Sequence, residues 1–143
     1  MPSELPTTES GIDAFLAAFE SGTLPKARWT HAAHLLTGAC YVHALGEAAA
    51  IARMRERVSA YNIAVGGRNT STSGYHETVT VFWIKLLAAY LAKKSSTRST
   101  FAHDAVREFG ENRTIYRDFY SYDVIASTEA RLAWRPPDLR PIA

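Results

Sequence analysis

From Val79 to Ala92 the chain reads Val-Thr-Val-Phe-Trp-Ile-Lys-Leu-Leu-Ala-Ala-Tyr-Leu-Ala, a helix-length run whose single charge is Lys85. A helix that is apolar nearly all round has no face to give to water, so the rest of the chain must wrap it. The run is also shorter than the roughly 20 residues needed to cross a hydrocarbon core, which makes it a buried helix and not a membrane anchor. The remaining apolar positions recur at helical spacing, with no convincing alternating strand and no repeat of 20 to 50 residues. The expected fold is therefore all-α, a single-domain bundle of five to six helices around an apolar central helix. At 143 residues and 47% apolar content the chain can bury one core, so residues 1–143 read as one domain with extended tails at 1–10 and 136–143.

Individual helices follow from apolar spacing and stop signals. The first spans Ile12 to Glu20, closed by Ser21-Gly22. The second runs from a Thr30 cap to Leu45, stopped by Gly46, and the third covers Glu47 to Asn62, with Ile51, Met54, Val58 and Tyr61 on one stripe. The polar segment Gly66-Gly-Arg-Asn-Thr-Ser-Thr-Ser-Gly74 must be a loop, with Ser73 read as a cap for the fourth helix, Tyr75 to Lys93. A fifth helix covers Thr100 to Phe109, shorter pieces fall at Thr114 to Tyr120 and Thr128 to Trp134, and Pro136-Pro137 ends regular structure.

Charge and cysteine content exclude several functions. With 16 Lys+Arg against 14 Asp+Glu, and no basic run longer than Lys93-Lys94, the footprint of a nucleic-acid-binding protein is missing. Cys40 is the only cysteine, and the first residues lack the positive-then-apolar pattern of a secretion signal. A cytoplasmic, bacterial-type protein is expected.

Chemistry is concentrated in four residues. At 100° per residue, His31 and His34 share the core-facing stripe of the second helix with Leu35, Gly38, Tyr41, Val42 and Leu45, which sets their imidazoles one turn apart. His43 and Cys40 point elsewhere. His76 lies on the stripe that continues through Thr80, Trp83, Leu87 and Tyr90, with Glu77 on its flank. If the two helix starts meet, His31, His34, His76 and Glu77 form a set suited to zinc, iron, manganese or nickel, with His76 and Glu77 as catalytic groups, Glu77 being a ligand or a base for bound water. Trp29, Arg68, Asn69 and Tyr75 would line the ligand side of that site. Two other readings stand beside this one. The same residues could hold a small anion without metal at two helix N-termini, or the cluster could be structural, with the aromatic segment Tyr116 to Tyr122 packing on a second subunit as a homo-oligomer.

Three segments carry a resemblance over most of the chain: Trp29-Thr-His-Ala-Ala-His34, Tyr75-His-Glu-Thr-Val-Thr-Val-Phe-Trp83 and Ser127-Thr-Glu-Ala-Arg-Leu-Ala-Trp-Arg-Pro-Pro-Asp-Leu-Arg-Pro141. In these it resembles a group of small bacterial helical proteins with His-x-x-His, Tyr-His-Glu-Thr and C-terminal Ala-Arg-x-x-Trp/Pro-Asp-Leu motifs. That group has no established activity, so the resemblance implies only that the motif residues belong together. This chain departs from the pattern at Phe119-Tyr-Ser-Tyr-Asp123, where the group carries Tyr-Ser-Arg-Glu. A looser similarity, at the level of fold, is to bundles that hold a metal through three histidines on different helices.

Overall fold

The structure is a computed structural model and describes residues 5–94 and 96–142. Among the described residues there are six α-helices and no strand: α1 (Glu9–Glu20), α2 (His31–Leu45), α3 (Glu47–Ala64), α4 (Glu77–Lys93), α5 (Arg98–Phe109) and α6 (Thr128–Leu132). No helix among them is long and apolar enough to cross a membrane.

The caps explain where the helices begin. Thr8, Thr30, Thr97 and Ser127 each accept a backbone N–H from the first turn of α1, α2, α5 and α6, satisfying donors that the helix itself leaves free. Because Thr8 supplies a cap, α1 starts at Glu9, three residues before its first apolar position and inside the segment expected to be a tail. Likewise α4 begins at Glu77, two residues later than its apolar pattern suggests, and its cap is His76 instead of Ser73. Ser73 Oγ instead meets Thr70 Oγ1 within the loop, at 2.9 Å. Gly46, at φ +84°, both ends α2 and opens α3, so these two helices are joined by one residue.

α2 and α4 share the middle of the bundle. α2 is buried without interruption from Leu35 to Val42 and packs on α3, α4 and α5, while α4 packs on α2, α3, α5 and α6. Leu45, expected on the core stripe, is 40% exposed because the chain leaves the core as it enters the Gly46 turn. α3 buries Met54, Val58 and Tyr61 of its predicted stripe, with Ala50 buried in place of the half-buried Ile51, and the Tyr61 hydroxyl donates to the Leu24 carbonyl oxygen at 2.7 Å. α5 buries Phe101, Ala102, Ala105 and Phe109, and Arg98 in its first turn reaches the Glu9 and Asp13 carboxylates of α1. His103 is partly buried, with Nε2 3.0 Å from the Pro6 carbonyl oxygen.

Between α5 and α6 the chain makes one short 3-10 turn, Ile115–Asp118, and is otherwise irregular. The C-terminal residues fasten this segment. The Leu139 N–H donates to the Phe119 carbonyl oxygen, the Tyr120 hydroxyl to that of Arg135, and Asp138 accepts from both the N–H and the hydroxyl of Ser121. Arg135 and Ala133 are held in turn by the Thr78 hydroxyl on α4.

Candidate functional site

Where α2, α3 and α4 converge they leave a cavity of about 810 Å³, closed on its fourth side by the segment after α5. Its inner wall is apolar, with Leu35, Met54, Ile84 and Leu87 among its buried members. Gly38 contributes by having no side chain: a Cβ there would lie 3.0 Å from Leu87 Cδ1 and 3.2 Å from Ile84 Cδ1. The exposed members Thr30, Arg113, Thr114 and Ile125 form the rim.

Both α2 histidines line this space, as their shared stripe requires. His34 Nδ1 lies 2.8 Å from the Thr30 carbonyl oxygen. A carbonyl only accepts, so Nδ1 carries the proton and Nε2 a lone pair, which has no hydrogen-bond partner among the described residues. Burial pushes the His34 pKa down to about 4, the Thr30 carbonyl opposing and nearby His31 assisting the fall, so the ring is neutral at pH 7. His31 Nε2 is 3.3 Å from the Phe109 carbonyl oxygen, which leaves its Nδ1 as the acceptor. Burial also lowers the His31 pKa, against the Phe109 carbonyl and with help from the charge on Arg113.

Two tryptophans frame the imidazoles. Trp29 stacks on Phe19 at 4.1 Å and meets His34 at 4.0 Å between ring centroids with the two planes tilted by 36°, and Trp83 meets His31 edge to face at 5.1 Å. The short 3-10 turn Lys26–Arg28 is what swings Trp29 into this position.

The other half of the expected metal set is employed elsewhere. His76 Nδ1 accepts the Val79 N–H at 3.2 Å, and Nε2 donates to the Val124 carbonyl oxygen at 2.9 Å, so both ring nitrogens hold backbone. The Glu77 carboxylate receives Arg55 Nε at 3.0 Å, Arg55 Nη2 at 2.7 Å and the Tyr75 hydroxyl at 2.6 Å. Burial pulls the Glu77 pKa up, but these donors outweigh it and hold the carboxyl below its ordinary value. Among the described residues, no three His, Cys, Asp or Glu side chains come together as a group able to hold a metal ion. The expected convergence fails for a local reason. α4 begins one residue after His76, which turns that ring back to cap its own helix, while Glu77 faces α3.

Of the four residues expected on the ligand side, Trp29 lines the cavity and Tyr75 belongs to the Arg55–Glu77 cluster. Asn69 folds its own loop: its amide donates to the Ser59 carbonyl oxygen, and its Oδ1 accepts from Asn62 and from the Tyr75 N–H. Arg68 is exposed and makes no hydrogen bond or ion pair among the described residues. Conversely, Arg113, Thr114 and Tyr116 line the cavity without having been singled out for a site, since they arrive on an irregular segment some 80 residues from the histidines. The one available signal was composition: Arg113 follows the Gly110 break among polar residues, where a helix end gives it no packing task.

Two of the three segments that carry the resemblance line this cavity, and the third contacts only the chain that borders it. The first supplies Trp29, His31 and His34, the second fixes Val124 through His76, and the third ties down Phe119 to Ser121 through Arg135, Asp138 and Leu139. No family model matches the chain, and neither the curated proteins nor the solved structures contain a significant match to it.

Proposed function

We propose that this protein binds a compact, mainly apolar small molecule in the cavity between α2, α3 and α4, with the neutral imidazoles of His34 and His31 as hydrogen-bond acceptors. The observation that carries the reading is the free Nε2 of His34 in an apolar-walled space of about 810 Å³, which falls within the usual ~300–1,000 Å³ of ligand pockets. This Nε2 is not among the buried unpartnered atoms, so solvent reaches it, and a ligand N–H or O–H would take the place of water there.

Binding is better supported than catalysis. An imidazole whose pKa is about 4 is a weak base at pH 7, whereas a general base works best with a pKa near the working pH. A divalent-metal enzyme using zinc, iron, manganese or nickel would require His76 to leave Val79 and Val124, and Glu77 to leave Arg55 and Tyr75. His31 and His34 alone would supply two donors, fewer than the three protein ligands common in catalytic zinc sites.

The test is titration of ¹⁵N-labelled protein with indole, a flat neutral molecule with one N–H. The indole N–H signals of Trp29 and Trp83 should move while that of Trp134, which lies 5.7 Å from Lys85 Nζ outside the cavity, should not. Unmoved Trp29 and Trp83 signals at millimolar indole would refute the reading. Near-stoichiometric metal in purified protein, lost on His34→Ala, would restore the metal reading instead.

A further inference from the structure

We infer that the ligand is an organic monoanion, a carboxylate on an aromatic or alicyclic body, whose acid group lies at the rim against Arg113 while the body fills the apolar interior. This rests on the small-molecule reading above and adds the ligand's charge. Among the described residues no Asp or Glu lines the cavity, and Arg113 is the only formally charged one that does. Among the described residues Arg113 has no carboxylate partner, unlike Arg53, Arg55, Arg98, Arg107 and Arg135. Its charge acts on His31 at the cavity wall, where it adds to the larger effect of burial in lowering that ring's pKa. A carboxylate would meet no repulsion there, whereas an ammonium group would lose its hydration against an unpaired cation.

The hydrogen-bonding inventory has the same polarity. Thr114 and Tyr116, from the same turn as Arg113, also line the cavity, and their hydroxyls make no hydrogen bond among the described residues. Together with the guanidinium they offer donors to two carboxylate oxygens. The imidazoles offer acceptors, so a ligand with an acid and a separate N–H or O–H satisfies both ends. Trp29 and Trp83 border the space that its body would fill.

The experiment is calorimetric titration at pH 7 with indole-3-acetate, its neutral isostere indole-3-acetamide, and tryptamine, on the native protein and on Arg113→Gln. Arg113 is exposed, so the variant should fold, and its helical content is checked first. The acid should bind about tenfold tighter than the amide at low salt, tryptamine weakest of the three, and the advantage should fall in 0.5 M salt. Arg113→Gln should weaken the acid far more than the amide and so bring the two to similar affinity. Equal affinity for acid and amide, or a preference that survives Arg113→Gln, would overturn the inference while indole binding kept the pocket reading intact. If none of the three binds, the inference fails; if indole fails as well, the pocket reading fails with it.

Discussion

Acidification should loosen the fold through His34. The folded protein takes up a proton on this ring only near pH 4, whereas the unfolded chain does so near the ordinary histidine value of 6.5. Between those pH values the unfolded chain binds the extra proton, so stability is complete above about pH 7 and declines as pH falls through 6.5 towards 4. At about 1.4 kcal/mol for each pH unit, the gap corresponds to an upper bound of about 3.4 kcal/mol once the pH is below 4. The ring is partly buried and its Nε2 edge opens on the cavity, where solvent screening reduces the cost to about 1.5–2 kcal/mol. His31 and His76, whose pKa values are also lowered by burial, act in the same direction, so the measurement must be a difference. Urea unfolding of the native protein and of His34→Asn, which keeps a donor for the Thr30 carbonyl but does not titrate, should be compared at pH 7 and pH 4. The native protein should lose about 1.5–2 kcal/mol more than the variant. Parallel losses would refute the assignment of a buried neutral imidazole to this position.

Three further perturbations probe the frame around the cavity. His76→Ala removes a helix cap and leaves the Val124 carbonyl without its donor, so chemical denaturation should show a loss of about 2–3 kcal/mol, and added zinc should not alter it. Glu77→Gln breaks a two-point contact with the half-exposed Arg55, and should cost about 1 kcal/mol by the same assay while indole binding persists. At Gly74, φ is +79° and a Cβ would lie 2.1 Å from the Arg68 carbonyl oxygen, so Gly74→Ala should cost about 2–3 kcal/mol. Gly66→Ala, at φ +92° with open space around it, should cost about 1 kcal/mol, and similar thermal shifts for the two would contradict the close approach in the loop.

Periodicity and capping chemistry made the bundle legible. The all-round apolar run at Val79–Ala92, the Thr30 cap and the α3 stripe each reflect a strong local rule, and each has its counterpart in the structure. The inward aim of His31 and His34 was legible for the same reason, because two residues three apart on one helix must share its face. His76 was not. One residue of difference in the start of α4 decides between a first-turn side chain facing the core and a cap folded back on the helix, and apolar spacing does not fix a boundary that finely. The direction of Asn69 was not legible, because proximity in sequence to Tyr75 does not fix it: Asn69 binds back to Ser59 and Asn62 at the end of α3. Arg113 and Tyr116 had no periodic signal at all, since the segment that carries them takes its shape from distant partners.

That last dependence has a consequence for the order in which the chain acquires its form. The five longer helices are complete by Phe109, yet Arg113 to Ile125 is held by His76 and by residues 135 to 139 near the far end of the sequence. During synthesis, Leu35, Ile84 and Leu87 therefore stay uncovered on that side until residues 135 to 139 have emerged, leaving a shorter nascent chain with a sticky apolar trough in place of the lined cavity.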